Sequence, residues 1–137
     1  MNYRKFRNQR FWRHAFSFPF IWLPVLPLIV LDITVSVYQF ICFPLYGLEK
    51  VKRSEHILVR DRARLDYLEP LEKVDCMYCG YANGVLLYIK EIAGRTEKYW
   101  CGIMHENKPG FVPQKSQVEQ DFAQFGDKHD FKQKYGD

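Results

Sequence analysis

Three cysteines and one histidine form two close pairs within a short stretch of this sequence. Cys76 and Cys79 are separated by two residues. Cys101 and His105 are separated by three. Zinc binds thiolate sulfur and imidazole nitrogen, and three cysteines with one histidine make a closed tetrahedral site. The spacing therefore predicts one structural zinc site formed by these four residues. The same ligands also suit a [2Fe–2S] cluster, which is the alternative cofactor.

The sequence between the two pairs must turn back if both pairs bind one ion. A continuous helix over residues 80–101 would hold the pairs about 30 Å apart. Gly94 follows the apolar run VLLYIKEIA, and a glycine after such a run is a helix stop signal. We therefore predict a helix over residues 82–93, a turn at Gly94–Arg95 and a second helix over residues 96–105, which together form a helical hairpin.

The residues before the first pair predict a small β-hairpin. Residues 49–68 contain the short β-like runs HILV and RLDYL around a charged turn. Pro70 then favours an extended approach to Cys76. We expect residues 49–106 to be a metal-binding module, because so short a segment buries little core and needs a staple.

An apolar segment over residues 15–48 precedes this module, and its only charge is Asp32. It is much longer than the apolar part of a signal peptide, about 7–15 residues, and long enough to cross a bilayer, which takes about 20. Pro24 and Pro27 break any straight helix through it. We expect either a proline-broken membrane helix or a re-entrant helical hairpin that turns between these prolines.

Basic residues flank the apolar segment on both sides. Residues 1–14 carry no acid and these basic residues: Arg4, Lys5, Arg7, Arg10 and Arg13. A basic run beside an apolar segment more often contacts lipid phosphates than nucleic acid. The positive-inside rule places both flanks in the cytoplasm and so favours the re-entrant hairpin. We expect a bacterial inner-membrane protein with its metal module on the cytoplasmic face.

Three polar residues interrupt the apolar segment at helical spacing. Asp32, Ser36 and Gln39 recur at i, i+4 and i+7, which makes a narrow polar stripe on one side of a helix. An aspartate at the bilayer centre costs about 2.5–3.5 kcal/mol. The stripe is therefore expected to face lipid headgroups or a protein partner. Residues 107–137, in contrast, form a polar tail that we expect to be partly disordered.

Several of these runs resemble a known group of proteins. The motifs CMYCGYANG and YWCGIMH, with ICFPLYGLEKVKRSEHI upstream, resemble a family of small bacterial membrane-associated proteins to which no activity is assigned. The resemblance covers roughly residues 20–106 and excludes the tail. It implies membrane association and the two cysteine motifs, and it assigns no catalytic residue.

Taken together, the sequence predicts a mainly α-helical, membrane-anchored zinc module that acts in protein interaction and is not an enzyme. Its partners would be the lipid membrane and either a larger membrane complex, as an accessory subunit, or further copies of itself. No glycine-rich phosphate loop, G-x-S-x-G elbow or small-molecule substrate site is evident.

Two other functions remain open. One is a membrane-held [2Fe–2S] electron carrier. The other is a metal-dependent hydrolase in which the three cysteines of the two pairs and a water bind zinc, with Glu106 or Glu97 as the base.

Overall fold

The computed structural model describes residues 11–136, which are mainly helical. No β-strand occurs among these residues, so the mainly α prediction is confirmed and the β-hairpin over residues 49–68 is wrong. A 3-10 turn lies at Arg62–Arg64. The helices in chain order are α1 (Phe11–Trp22), α2 (Val25–Tyr46), α3 (Arg53–His56), α4 (Pro70–Trp100), α5 (Lys115–Glu119) and α6 (Lys128–Tyr135).

The apolar segment forms α1 and α2, which a short turn joins. Pro24 keeps a helix-like backbone (φ −66°, ψ −9°), and its carbonyl accepts a hydrogen bond from Leu28 N at 3.0 Å. Pro27 lies in the first turn of α2, where a missing N–H costs little. The helix is interrupted only by a two-residue turn at residues 23–24. The chain does not reverse there, because residues Trp12–Tyr46 continue as one long apolar helical stretch. The re-entrant hairpin is therefore wrong.

The chain reverses after α2, at Gly47. This residue has φ +69°, and Leu48 N donates to Phe43 O at 2.9 Å across it. Glycine adopts this left-handed conformation without the steric cost that a side chain would add. Gly47 thus ends α2 and directs residues 48–69, here called the return segment, back along the helix.

The return segment leads into α4, a helix of 31 residues. Pro70 occupies its first turn, where proline is favoured, and the carboxylates of Glu69 and Glu72 form a capping box. The predicted extended approach at Pro70 is therefore wrong.

The predicted turn at Gly94–Arg95 is also wrong, because α4 continues unbroken through Gly94. Gly94 is required for a different reason. A Cβ atom there would lie 2.6 Å from the Cβ of Ser116 on α5.

Helices α2 and α4 lie side by side and run in the same direction. Just before α2 begins, the ring of Trp22 at the end of α1 stacks on Tyr78, with centroids 4.7 Å apart. At the end of α2, Tyr46 stacks on Tyr99, with centroids 4.4 Å apart. Two parallel neighbours need a long connection, so the return segment covers the distance from the end of α2 to the start of α4.

Two glycines of the motif CGYANG let the return segment cross α4 at close range. A Cβ at Gly84 would lie 2.7 Å from the carbonyl oxygen of His56. A Cβ at Gly80 would lie 2.5 Å from that of Leu58. The HILV run therefore crosses a helix instead of pairing as a strand.

A buried cluster between α2, the return segment and α4 forms the core: Phe43, Val51, Tyr88 and Ile92. The C-terminal residues pack on the far end of α4. Ala123 N donates to Gly102 O at 2.7 Å, and the side chain of Phe122 is buried beside it. Residues 107–136 include α5 and α6, and partial disorder of this tail in solution stays a prediction.

We expect Gly84→Ala to destabilise the protein by about 1–3 kcal/mol, because the added methyl group forces the return segment away from α4. Asn83→Ala is the matched control, since Asn83 is the exposed neighbour on the same helix. Thermal unfolding followed by circular dichroism measures both changes. An unaltered melting temperature for Gly84→Ala would contradict the close crossing.

Candidate functional site

The two cysteine-containing pairs lie at different places along α4. Cys76 and Cys79 lie in its first half, where Cys76 is partly buried and Cys79 is exposed. Cys101 is exposed directly after the last residue of the helix. Twenty-two residue steps of continuous helix separate Cys79 from Cys101, which corresponds to about 33 Å.

The histidine of the second pair lies beside an acid instead of the first pair. His105 Nε2 is 3.8 Å from Glu97 Oε1, and Glu97 also accepts a hydrogen bond from Gln117 Nε2 at 2.8 Å. Across residues 11–136, no three His, Cys, Asp or Glu side chains are grouped closely enough to hold a metal ion.

The expectation that the four predicted ligands converge within one chain is therefore wrong. The physical reason is that α4 does not turn at Gly94. Metal binding itself stays a prediction, whether of zinc or of a [2Fe–2S] cluster, because a second chain could complete either pair.

The polar stripe of α2 is buried within the protein. Asp32 is 5% exposed and Gln39 is 6% exposed. Both carboxylate oxygens of Asp32 accept hydrogen bonds from the guanidinium of Arg53, one of them from Nη2 at 2.6 Å. The hydroxyl of Tyr81 donates to Asp32 Oδ2 at 2.9 Å. The charge of the aspartate is thus paired, and its acceptors are satisfied.

The rest of the stripe continues this network toward the end of α2. Gln39 accepts from Val51 N at 2.6 Å and donates through Nε2 to the Tyr88 hydroxyl at 2.9 Å. Ser36 Oγ is 3.4 Å from the same hydroxyl. We call this network the polar seam, and it consists of Asp32, Ser36, Gln39, Arg53, Tyr81 and Tyr88. The partner of the predicted stripe is therefore the chain's own α4 and return segment.

The groups that face Asp32 keep their protons more strongly than usual. Burial raises the pKa of the Tyr81 hydroxyl, and its hydrogen bond to Asp32 adds to the effect. The hydrogen bond to Asp32 likewise raises the pKa of Arg53. At neutral pH Tyr81 is therefore a protonated donor and Arg53 is charged, which are the states that the seam requires.

Within residues 11–136, no other element covers the opposite side of α1 and α2. One helical stretch of the described chain is long and apolar enough to cross a membrane. The Lys50 ammonium lies 4.3 Å from the centroid of the Phe40 ring, at the edge of this surface. We call the surface the apolar face, and its exposed side chains include Trp12, Phe16, Phe20, Leu26, Val30, Ile33, Val37, Phe40 and Leu45.

Sequence analysis did not find Arg53, Tyr81 or Tyr88. An aspartate in an apolar helix requires a cation, but the following residues offer several, and only the fold selects one of them. The two tyrosines lie on α4, five and twelve residues after Cys76, and this spacing gives no separate signal in the sequence.

We expect Arg53→Met to destabilise the protein by about 1–3 kcal/mol, because it leaves the buried carboxylate of Asp32 without its cation. Lys52→Met is the matched control, since the Lys52–Glu55 pair is exposed and worth about 0–1 kcal/mol. The double variant Asp32→Asn with Arg53→Met should recover part of the loss. Urea unfolding compares the variants, and equal losses for Arg53→Met and Lys52→Met would contradict the assignment.

In a comparison with known proteins, no family model, curated protein or solved structure matches the chain. The resemblance of its motifs to a bacterial membrane-associated family therefore stays a prediction.

Proposed function

We propose that this protein is a membrane-surface module for protein interaction. Its apolar face lies in the membrane interface, with the axis of α2 parallel to the membrane plane. The opposite side, formed by α4 and the return segment, faces water and is free to contact a partner.

The observation that carries this proposal is that charged residues of the return segment and of α4 lie beside α2 from Asp32 to Tyr46. Helix α4 is parallel to α2, with ring stacking just before the start of α2 and at its end. If α2 crossed the bilayer, charged residues of α4 would enter the hydrocarbon, at about 2.5–3.5 kcal/mol each near the centre. Between the levels of Tyr88 and Tyr99 these residues are Lys90, Glu91, Arg95, Glu97 and Lys98.

An in-plane helix avoids this cost. Helices that lie in the interface combine one apolar face with one polar face and bury the apolar side about 5–10 Å into the boundary region. In this chain α2 is nearly all apolar, and the polar side is supplied by the elements packed on its seam. The amphipathic unit is therefore the pair α2 and α4.

The basic flanks suit the cytoplasmic leaflet of a bacterial inner membrane. Anionic lipids attract a lysine or arginine near the surface by about 1 kcal/mol. Lys50 and Lys52 are exposed beside the end of α2. The basic residues before Phe11, and the termini Met1 and Asp137 predicted to share the cytoplasm, lie outside the described residues.

The role in protein interaction rests on the water-facing side of α4. Its exposed residues include Cys79, Asn83, Leu86 and Lys90, which lie on one side of the helix. The module would act as an accessory subunit held at the membrane, and metal binding through its cysteines remains part of this proposal.

The depth of three positions on α2 tests the in-plane arrangement. Leu26, Ile33 and Phe40 are exposed and seven residues apart, so they lie on nearly one side of the helix. Each is replaced by tryptophan in a chain whose Trp12, Trp22 and Trp100 are phenylalanine. Quenching by brominated lipids in anionic vesicles should then give the same shallow depth at all three positions.

A tryptophan at the water-facing position Lys90 is the matched control and should not be quenched. A spanning helix would instead place residue 33 clearly deeper than residue 26. That result, or no binding to vesicles, would contradict the proposed function.

A further inference from the structure

We propose that Cys76 and Cys79 of two copies of this chain bind one zinc ion between them. The inference rests on the proposed function, since it names the partner that the water-facing side of α4 contacts. The partner is a second copy of the chain, and the bridge is a site of four thiolates.

The first argument is the geometry of the pair. Residues three apart in a helix have Cβ atoms about 5–6 Å apart on one face, and Cys76 and Cys79 have this spacing in a continuous α4. Both are free cysteines. Two thiolates so close can reach a single ion at the usual Zn–S distance of about 2.3 Å.

The second argument is that one chain supplies only half of the site. Structural zinc takes four ligands in a tetrahedron. Among residues 11–136 no third cysteine, histidine or acid joins this pair to form a metal-binding group. A second copy would supply the same two thiolates, and a twofold axis through the ion would complete the tetrahedron.

The third argument is where the pair lies. Tyr81 contacts Asp32 of α2, and a residue two positions away in a helix lies about 160° around the axis. Cys79 therefore lies on the side of α4 opposite α2, and it is exposed. A second copy that approaches from the water can therefore reach the pair without contacting the apolar face of the first.

The fourth argument is the surface that surrounds the pair. Cys76, Cys79, Asn83 and Leu86 follow each other at spacings of three, four and three residues, which is the seam spacing of paired helices. Leu86 is 52% exposed. An ion at the cysteines and an apolar contact at Leu86 would hold two α4 helices at successive turns.

The test measures mass and zinc content together. The full chain, purified in detergent and stripped with EDTA, is titrated with Zn²⁺. Light scattering after size-exclusion chromatography and native mass spectrometry follow the mass of the protein component. The expected result is a doubling of that mass at one zinc ion per two chains, which EDTA reverses.

Matched double variants assign the ligands. Cys76→Ser with Cys79→Ser should stay monomeric and lose zinc, with its helical circular dichroism unchanged. Cys42→Ser with Cys101→Ser removes the other two cysteines and should behave as the native chain does. Cys79→Ser alone should also lose the zinc-dependent mass change. Because Cys79 is exposed, this single variant separates the loss of a zinc ligand from misfolding of the double variant.

Several results would overturn the inference. They are no zinc binding, one zinc ion per single chain, a dimer that EDTA does not affect, or loss of zinc in the variant without Cys42 and Cys101. The last result would point to the second pair, at Cys101 and His105. The zinc measurement is made in detergent, so a negative result would contradict the zinc bridge without contradicting the depth profile of α2. A depth profile that contradicts the in-plane arrangement would likewise leave the zinc measurement valid.

Discussion

The ion pair between the buried carboxylate of Asp32 and the half-exposed guanidinium of Arg53 is the constraint on which the arrangement of this chain depends. A carboxylate in the middle of an apolar helix is unfavourable both in hydrocarbon and in a protein core unless a cation reaches it. Arg53 lies seven residues beyond the end of α2, so it reaches Asp32 only if the chain reverses at Gly47. The return segment then runs back along α2, and α4 has to start near the other end. The parallel packing of α2 and α4 follows from this one pairing.

The apolar helices and their polar stripe could largely be predicted from the local sequence. Apolar length and the positions of Pro24 and Pro27 predicted a broken helix, and the spacing of Asp32, Ser36 and Gln39 predicted a polar stripe. The partner of the stripe could not be predicted. Several lysines and arginines follow α2 and are equivalent in sequence, and the tyrosines that complete the seam lie about fifty residues away along the chain.

The course of α4 is harder to predict, because a glycine can either end a helix or let a neighbouring segment approach the helix closely. Gly94 has the position of a helix stop signal in the sequence, yet in the structure it allows Ser116 to approach α4, as Gly80 and Gly84 allow the return segment to cross. Each costs about 1 kcal/mol of helix propensity, which the closer packing offsets. The positions of the cysteines and of His105 depended on the same choice. A ligand pattern gives the spacing within each pair, but it does not say whether the chain between the pairs turns back.

The parallel packing of α2 and α4 has a consequence for biosynthesis. The chain is made from its N-terminus, so the apolar face is complete and can meet lipid while Tyr81 and Tyr88 have not yet been added. In the proposed arrangement at the membrane surface, headgroups and interfacial water would satisfy Asp32 and Gln39 during that interval. A helix held at the surface keeps both residues within reach of Arg53 and then of α4. A helix that had already crossed would first have to withdraw Asp32 from the hydrocarbon. At the membrane surface, in contrast, the polar seam would assemble in the order in which its residues are synthesised.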